Sequence, residues 1–232
     1  VDLKLTSGFK RLSNLTQQQE EAMRQIQTDL WETDVESPFP GLTTHAYLLT
    51  RDDGNVLFYN TGHHHEIDRM AELGGVAHQL LSHQDELGET LVTIHQRFGA
   101  TLGGHVRERE VFAKIRDPDV LFDHRETILN NIEVIPTPGH TPGSTCFQVL
   151  SPSGKRYLFT GDTLFLSESG EWQAGYIKGV SDREELARSV RLLGTLTPDV
   201  VISSAYTGTS GFREETPDGW AGAIENALKR LG

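Results

Sequence analysis

The nine residues TPGHTPGST, numbers 137–145, form the most constrained local pattern in this sequence. Two Pro-Gly steps, 138–139 and 142–143, flank His140. Proline restricts φ to about −65° and glycine permits conformations that other residues avoid, so the pattern predicts a tight loop with His140 at its tip. The flanking segments IEVIPT and STCFQVL are typical of strands. A rigid loop between strands can hold a ligand-binding side chain with little entropy left to lose on binding.

Three further segments place polar side chains after strand-like runs. Asp162 follows the apolar segment YLFTG, and a carboxylate at the end of a strand can point into a cleft. The segment LLSHQDELG, residues 80–88, has His83 and Asp85 directly after an apolar pair. The segment LFYNTG, residues 57–62, ends a strand-like run at Asn60. These side chains are the candidates for chemistry.

In combination, these segments resemble the metallo-β-lactamase fold superfamily, and within it the hydroxyacylglutathione hydrolase (glyoxalase II) branch. TPGHTPGST followed by TGDTLF carries the resemblance, and LLSHQDELG falls where the family has Thr-His-x-His-x-Asp-His. LFYNTG is similar to the family's Asp-Thr-Gly strand end, with Asn60 in place of the aspartate. The similarity runs from about Tyr47 to Ala205. It implies an α+β fold, an αββα four-layer sandwich of two mixed β-sheets with helices on the outer faces.

The resemblance also implies that half of the family's two-metal site is retained. The positions that match ligands of the first metal are His83, Asp85, His140 and Asp162. Asp85 stands where the family has a histidine. The positions of the second metal's own ligands are occupied by Leu87, Gly88 and Ala205, which cannot bind a cation. Two imidazoles with one or two carboxylates suit Zn²⁺ or Fe²⁺. We therefore expect at most one divalent metal ion, zinc or iron, with no bound metal as the alternative.

A single ion can polarise a carbonyl and lower the pKa of a bound water, but it cannot clamp both the attacking and the leaving oxygen. We therefore expect a metal-dependent hydrolase that acts on a small ester, thioester or lactone rather than a phosphodiester. Glu86 and Asp85 are the nearest candidates for a general base. The run His63, His64, His65 follows the strand that ends at Asn60, and it is predicted, with Tyr206, to contact the substrate.

Two other functions remain open at this point. The first is a non-catalytic protein of the same fold that binds a small molecule or a partner protein in the old cleft. The second is a mononuclear iron dioxygenase of the persulfide dioxygenase type. The resemblance implies that such an enzyme would use His83, His140 and Asp162, since two histidines and one carboxylate form the facial triad of non-haem iron sites.

Several of these residues also have ordinary structural interpretations. Asp85 is a preferred residue for the N-cap of a following helix, and Asp162 could accept hydrogen bonds from loop amides. The histidine run 63–65 is typical of a solvated loop. Leu87 fits the apolar stripe of a predicted helix. Cys146, in an apolar strand, is predicted to be buried and inert.

Composition narrows the classes of partner. The chain of 232 residues has 21 Lys and Arg against 33 Asp and Glu, a formal net charge of −12. Such a field repels phosphate backbones and anionic lipids, so we expect a small-molecule substrate and neither nucleic acid nor membrane. One cysteine excludes an internal disulfide, and no apolar run resembles a signal peptide, so a cytoplasmic location is expected. A homo-oligomer is compatible with the sequence.

The hydrophobic periodicity predicts a single domain over 1–232, with a helical N-terminal segment of about residues 1–36 packed on it. Helices are predicted over 16–29, 65–73, 86–99, 182–193 and 219–231. Strands are predicted over 45–50, 55–60, 76–82, 132–137, 144–150, 156–162 and 199–205. Ser181 and Glu184 are predicted to form the capping box of the helix 182–193.

Overall fold

The computed structural model describes residues 23–232, in which strands and helices alternate. The strands are β1 (Arg24–Gln27), β2 (Leu30–Glu32), β3 (Glu36–Phe39), β4 (Leu42–Thr44), β5 (Tyr47–Leu49), β6 (Val56–Phe58), β7 (His78–Leu80), β8 (Thr101–His105), β9 (Val120–Phe122), β10 (Glu126–Ile128), β11 (Ile132–Pro136), β12 (Thr145–Leu150), β13 (Arg156–Gly161), β14 (Leu164–Leu166), β15 (Trp172–Ala174), β16 (Val200–Ser203), β17 (Ala205–Tyr206) and β18 (Phe212–Glu214). The α-helices are α1 (His64–Glu72), α2 (Thr90–Phe98), α3 (Arg109–Phe112), α4 (Arg183–Leu193) and α5 (Pro217–Leu231). Single 3₁₀ turns lie at Gln84–Glu86 and Val106–Glu108.

Two mixed sheets enclose the larger core. The first has seven strands in the order β1-β2-β5-β6-β7-β8-β9, and the second has six in the order β10-β11-β12-β13-β16-β18. The first is antiparallel up to β6 and parallel from β6 to β9, and the second contains one parallel pair, β13 with β16. The rings of Phe58 and Phe159 stack with centroids 3.8 Å apart, which brings the inner faces of the two sheets together.

The second sheet is buried on both faces, and its sequence shows why. In β13, Tyr157 and Phe159 belong to the core between the sheets, while Leu158 belongs to a second core cluster with residues of α4 and α5. Successive side chains of a strand point to opposite faces, so an apolar run without polar interruption covers both. The helices therefore pack on the outside of the sheets, which confirms the predicted fold class. A third sheet, with strand order β15-β14-β17-β4-β3, lies beside them.

Loops from both sheets meet at one edge of the sandwich. The backbone N–H of Thr145, at the start of β12, donates to the carbonyl of Ser82, which follows β7, over 2.8 Å. Gly161, at the end of β13, has φ +51° and lies so close to Ser82 that a Cβ would sit 2.1 Å from its Oγ. The segments after β7, β11 and β13 are therefore brought together, and these are the segments that carry His83, His140 and Asp162.

The helix predicted over 16–29 is wrong for residues 24–27, which form β1, and residues 16–22 lie outside the described part of the chain. Pairing of β1 with β2, and of β2 with β5, overrides a local helical pattern because the ladder and core burial outweigh intrinsic propensity. The predicted capping box is also wrong: the N-cap of α4 is Asp182, whose side chain accepts from the Glu185 N–H. The helix predicted over 86–99 begins only at Thr90.

The remaining predicted helices and strands are found with shifts of a few residues at their ends. Cys146 is buried and free, as predicted. Burial raises the pKa of its thiol to about 12, which keeps the group protonated and unreactive at neutral pH. None of the helices between residues 23 and 232 combines the length and the apolar character needed to cross a bilayer.

Candidate metal centre

Four potential donor atoms converge where the loops meet. The Nε2 atoms of His83 and His140 lie 3.6 and 3.7 Å from Asp162 Oδ2. Asp85 Oδ2 lies 3.6 Å from Nε2 of His140 and 3.9 Å from Nε2 of His83. The donor atoms of His83, His140 and Asp162 all lie within 4.8 Å of one another. The structure thus brings together all four residues that the sequence predicted as metal ligands.

His83 is fixed by the residues behind it. It is extended, with φ −166° and ψ 172°, and it lies just before the 3₁₀ turn Gln84–Glu86. Its Nδ1 lies 2.8 Å from Ser82 Oγ and 3.2 Å from Glu86 Oε1. Because the Ser82 hydroxyl donates to Glu86, its oxygen is free to accept the Nδ1 proton of His83. Nε2 of His83 then presents its lone pair to Asp162 and His140.

His140 is oriented by the loop that follows β15. Its Nδ1 donates to the Gly175 carbonyl over 2.6 Å, and a carbonyl can only accept, so Nε2 carries the lone pair. Nε2 is buried and has no hydrogen-bond partner among residues 23–232. The loop itself depends on Gly139, whose φ is +133° and where a Cβ would lie 2.2 Å from the Leu186 nitrogen. The Ser181 hydroxyl donates to the His140 carbonyl over 2.9 Å and holds the loop against α4.

Asp162 presents one carboxylate oxygen to each side of the site. Its Oδ1 accepts from the Ser204 hydroxyl over 2.6 Å, and its Oδ2 faces the two imidazoles. Burial favours the neutral acid, but His83, His140 and the Ser204 hydroxyl outweigh burial and hold the pKa of the Asp162 carboxyl well below its usual range. Asp162 is therefore an anion at neutral pH, as a metal ligand must be.

The pKa of His83 shows how strongly this site attracts positive charge. Burial opposes the charged imidazolium, but the carboxylates of Glu86 and Asp162 raise the pKa of His83 well above its ordinary value. A buried imidazole with two carboxylates around it favours a cation in its immediate surroundings. A proton on His83 and a metal ion beside it are alternative ways to meet that demand.

Asp85 does not cap a helix, and that alternative is wrong. The 3₁₀ turn has His83 at its N-cap, and α2 begins only at Thr90 with no side-chain cap. The Asp85 side chain is half exposed and turns toward the imidazoles. The neighbouring His140 lowers the pKa of the Asp85 carboxyl, so it is charged at neutral pH. It lies between the buried donors and the open cleft.

Glu86, predicted as a general base, lies behind His83 instead of facing the cleft with its carboxylate. Both its oxygens are engaged: Oε2 accepts from the Ser82 N–H over 2.8 Å, and Oε1 from the Ser82 hydroxyl. Of the two Glu86 oxygens, Oε1 is the one that lies 3.2 Å from Nδ1 of His83, on the side of the ring opposite Nε2. The geometry gives this carboxylate contacts that orient His83, and it leaves Asp85 as the predicted base that faces the cleft.

Three of the four donor residues, His83, Asp85 and Asp162, line one part of a cleft of about 760 Å³. Its other lining residues include Leu87, Gly88 and Ala205, the three positions at which the sequence lacks ligands for a second metal. Leu87 also packs against a small buried cluster of Leu81, Leu91, Leu102 and Phe112. Apolar and small side chains therefore occupy this part of the cleft. Its mouth is formed partly by apolar side chains of the β3–β4 hairpin.

The predicted substrate-contact residues are only partly brought to this cleft. Of the three histidines, only His64 lines it. His63 Nε2 lies 3.0 Å from the Val35 carbonyl, and His65 is an exposed neighbour of Asp34. Tyr206 is buried behind the cleft wall, where its hydroxyl lies 2.9 Å from Nε2 of His45.

Sequence reasoning missed His45, Ser82 and Ser204. His45 lines the cleft and is buried, and its backbone N–H donates to the Ser204 carbonyl over 3.1 Å. The Ser82 and Ser204 hydroxyls contact Glu86 and Asp162 respectively. The position of His45 directly before the strand segment AYLLT was a signal that could have placed it at the sheet edge. The roles of the two serines depend on contacts that sequence spacing does not show.

Comparison with known proteins agrees with this architecture. The sequence model of the metallo-beta-lactamase superfamily matches residues 58–205, more than half of the chain. A hydroxyacylglutathione hydrolase, GloC, of Haemophilus influenzae is 27% identical over 194 residues, which cover 73% of this chain and 88% of that protein. The chain therefore belongs to the metallo-β-lactamase superfamily, and its similarity to GloC places it near the hydroxyacylglutathione hydrolase branch.

Solved structures show the same fold at low sequence identity. A metallo-beta-lactamase from Pontibacter korlensis superposes with a TM-score of 0.68 and 18% identity, over 90% of this chain and 97% of that one. A metallo-beta-lactamase from Hirschia baltica has a TM-score of 0.68 at 11% identity, over 90% of this chain and 96% of that one. Similarity at this level establishes the fold and leaves the reaction to the site.

Proposed function

We propose that this protein is a metal-dependent hydrolase with one metal ion, bound by His83, His140 and Asp162, with Asp85 beside them at the edge of the cleft. Its substrate is a small ester, thioester or lactone. The observation that carries the proposal is Nε2 of His140: a buried lone pair, fixed in direction by the Gly175 carbonyl, with no partner in residues 23–232. An unpaired buried acceptor costs free energy unless something fills the space in front of it.

The spacing of the donors supports a cation in that space. The four contacts of 3.6–3.9 Å are too long for hydrogen bonds between these groups. Ligands at ~2.0–2.2 Å from a tetrahedral ion lie roughly 3.3–3.6 Å from one another. The observed distances are close to this range and well above hydrogen-bond length, so the residues present fit a metal of the Zn²⁺ or Fe²⁺ type.

When bound, such an ion would polarise a substrate carbonyl and lower the pKa of a coordinated water toward ~7. The protein's own groups supply the rest. Ser82 and Glu86 orient His83, and the Gly175 carbonyl orients His140. Asp85, charged and half exposed at the edge of the cleft, is the group placed to accept a proton from the attacking water.

Elemental analysis of untagged protein, purified without chelator, tests this proposal. We expect close to one equivalent of zinc or iron in the wild type and less than about a tenth in His140→Ala. His64→Ala is the matched control, because it removes a histidine that lines the same cleft outside the donor group. Less than about a tenth of an equivalent in the wild type, with no uptake from added Zn²⁺ or Fe²⁺, would reject the metal centre.

The reaction is tested by hydrolysis of three probes: a neutral aryl ester, a lactone, and a 2-hydroxyacylglutathione thioester of the kind in the name of the Haemophilus relative. We expect turnover of at least one probe that disappears with metal removal and returns with its addition. Metal bound without turnover of any probe would favour the non-catalytic binding protein.

A second candidate is an iron dioxygenase. The observation in its favour is that His83, His140 and Asp162 form a compact group without Asp85, as a two-histidine, one-carboxylate iron site requires. Oxygen uptake with a glutathione persulfide by the iron-loaded protein would favour this candidate, and Asp85→Ala would then retain iron. The hydrolase predicts no oxygen uptake and a large loss of activity in Asp85→Ala.

A further inference from the structure

The cleft also contains polar side chains that the hydrolase chemistry does not use, among them Asn60 and His45. Asn60 and His45 both line it, together with Gly88 and Ala205. A Cβ at residue 88 would lie 3.0 Å from Asn60 Nδ2, so the missing side chain leaves this amide nitrogen facing open space.

The amide of Asn60 has a defined orientation. Its Oδ1 accepts hydrogen bonds from Gln79 Nε2 and Thr90 Oγ1, each at 3.1 Å. Gln79 Nε2 also donates to the Tyr59 carbonyl over 3.0 Å, which fixes the nitrogen end of the glutamine. The Nδ2 group of Asn60 therefore points away from these partners and makes no hydrogen bond with any residue in 23–232. It is a free donor on the cleft wall.

His45 lines the same cleft, but the free nitrogen of its ring is buried. Its Nε2 lies 2.9 Å from the Tyr206 hydroxyl, which has no other hydrogen-bond partner in the described chain. Burial raises the pKa of Tyr206 to about 12, so the phenol keeps its proton, and the only acceptor it meets is Nε2 of His45. A neutral imidazole that accepts at Nε2 carries its proton at Nδ1. Nδ1 of His45 is buried and unpaired, and the whole residue is only 8% exposed.

The charge of the cleft restricts what can approach this donor. The lining residues include five acids, Glu36, Asp85, Glu86, Glu89 and Asp162, of which Glu86 turns its carboxylate to Ser82. None of the lining residues within 23–232 is a lysine or an arginine. The other four carboxylates outnumber the two charges of a divalent ion, so an additional anionic group on a ligand meets net repulsion.

We infer that Asn60 Nδ2 is an uncharged hydrogen-bond donor, in place of a second metal ion, for an oxygen atom of an uncharged carbonyl compound such as a lactone or simple ester. This inference deepens the proposed function and rests on it for the reaction, but the binding itself needs no metal. It also distinguishes this protein from its Haemophilus relative, because a glutathione conjugate carries two carboxylates and one ammonium group, a net negative charge, and no lysine or arginine lines the described cleft to pair with the carboxylates.

The test measures binding of a neutral lactam, N-benzyl-2-pyrrolidinone, and of its counterpart with one added carboxylate, N-benzylpyroglutamate. A lactam presents the same carbonyl as a lactone and resists hydrolysis. Dissociation constants come from NMR shift titrations of the protein as purified and after chelator treatment. We expect the neutral lactam to bind at least about tenfold more tightly than the carboxylate in both forms. Equal or tighter binding of the carboxylate to the chelated protein would overturn the inference.

The variant Asn60→Asp tests whether the Asn60 Nδ2 group donates to the ligand. The aspartate keeps an oxygen for Gln79 and Thr90 and replaces only the Nδ2 group that faces the cleft. We expect at least about tenfold weaker binding of the neutral lactam, since a donor becomes a repelling acceptor. Asn130→Asp adds the same charge on a distant loop and should bind as the wild type does. Unchanged lactam binding in Asn60→Asp would refute a role for this amide.

The double variant His45→Phe/Tyr206→Phe is the control for a change in the neighbouring cleft wall. Removing both partners of the buried hydrogen bond together avoids leaving one unpaired, so the unfolding free energy should change little. We expect lactam binding and metal content to stay those of the wild type, because Nδ1 of His45 is buried away from the cleft. A loss of lactam binding as large as in Asn60→Asp would show that this wall, and not the Asn60 amide, decides the affinity. A wild type without metal or hydrolysis would reject the proposed function, yet these binding differences would still be measured.

Discussion

Replacing Glu86 by glutamine separates two roles for this side chain. As the general base predicted from the sequence, it would matter for turnover but not for metal affinity. As the structure places it, its carboxylate contacts Ser82 twice and lies 3.2 Å from Nδ1 of His83. In that position it orients a metal ligand and makes the imidazole a better donor, so the loss should appear in metal binding.

The size of the effect follows from the contacts. Glutamine has one carbonyl oxygen, which can still accept from the Ser82 N–H, but its NH₂ group cannot accept from the Ser82 hydroxyl or from His83. The hydroxyl would then lose its acceptor and compete with Nδ1 of His83. Removal of such a partner behind a metal ligand lowers affinity by about 10–100-fold. That range corresponds to about 1.4–2.7 kcal/mol of binding free energy.

The assay is competition for Zn²⁺ between the protein and a chromophoric chelator, with Glu89→Gln as the matched control. Glu89 lines the same cleft and loses the same charge on substitution, but it has no contact with His83. We expect Glu86→Gln to bind zinc at least about tenfold more weakly than Glu89→Gln. Equal zinc affinities of the two variants, with turnover lost only in Glu86→Gln, would refute the positioning role and restore the general base.

Three further predictions concern stability and are measured by urea denaturation. Gly139→Ala should cost about 3 kcal/mol or more, because its φ of +133° and the α4 backbone leave no room for a Cβ, whereas Gly154→Ala, in an open turn, should cost only about 1–2 kcal/mol. Asp182→Ala should lower the unfolding free energy by about 1 kcal/mol, because the N-cap of α4 is lost. Glu184 is exposed on the same helix, so Glu184→Ala should change the unfolding free energy by less than about 0.5 kcal/mol. Burial raises the pKa of the Cys146 thiol to about 12 in the folded protein, against about 9 in the unfolded chain. Its contribution to the unfolding free energy is therefore fully present below pH 9. Between pH 9 and 12 the unfolding free energy of the wild type should fall by about 1.4 kcal/mol per pH unit relative to Cys146→Ala. No pH-dependent difference between the two proteins would contradict the burial argument.

The candidate metal centre could be predicted from the sequence because its residues lie in short motifs that resemble those of a known family. The loop around His140 needs its glycine for a steric reason that the Pro-Gly pattern already indicates. Asp162 directly follows a strand, and strand ends at one edge of a sheet converge. The resemblance of these motifs to the metallo-β-lactamase superfamily gave the expectation that His83, His140 and Asp162 lie in one place.

Other features depended on contacts between distant parts of the chain. Residues 24–27 carry a local pattern that suits a helix, but their pairing partner β2 and the next strand β5 decide for a sheet edge. Asp85 suits both an N-cap and a metal ligand, and only its distance of 3.6 Å from Nε2 of His140 shows that it belongs to the candidate site. The sequence gives no partner for the Glu86 carboxylate. In the structure both of its oxygens accept hydrogen bonds from Ser82, one from the backbone N–H and one from the hydroxyl.

The changes around the second metal position are consistent with one electrostatic requirement. A carboxylate that loses its cation inside a cleft becomes an uncompensated charge, which costs several kcal/mol unless it is paired. The resemblance implies acids at positions 60 and 87, where this chain has Asn60 and Leu87, so an expected ligand charge at 87 and a neighbouring charge at 60 are both absent. Gly88 and Ala205 remove bulk at the same place and leave the Asn60 amide facing the cavity. Because these four substitutions together yield a neutral, hydrogen-bonding pocket, this half of the cleft is better explained as a site for an uncharged ligand than as a damaged metal site.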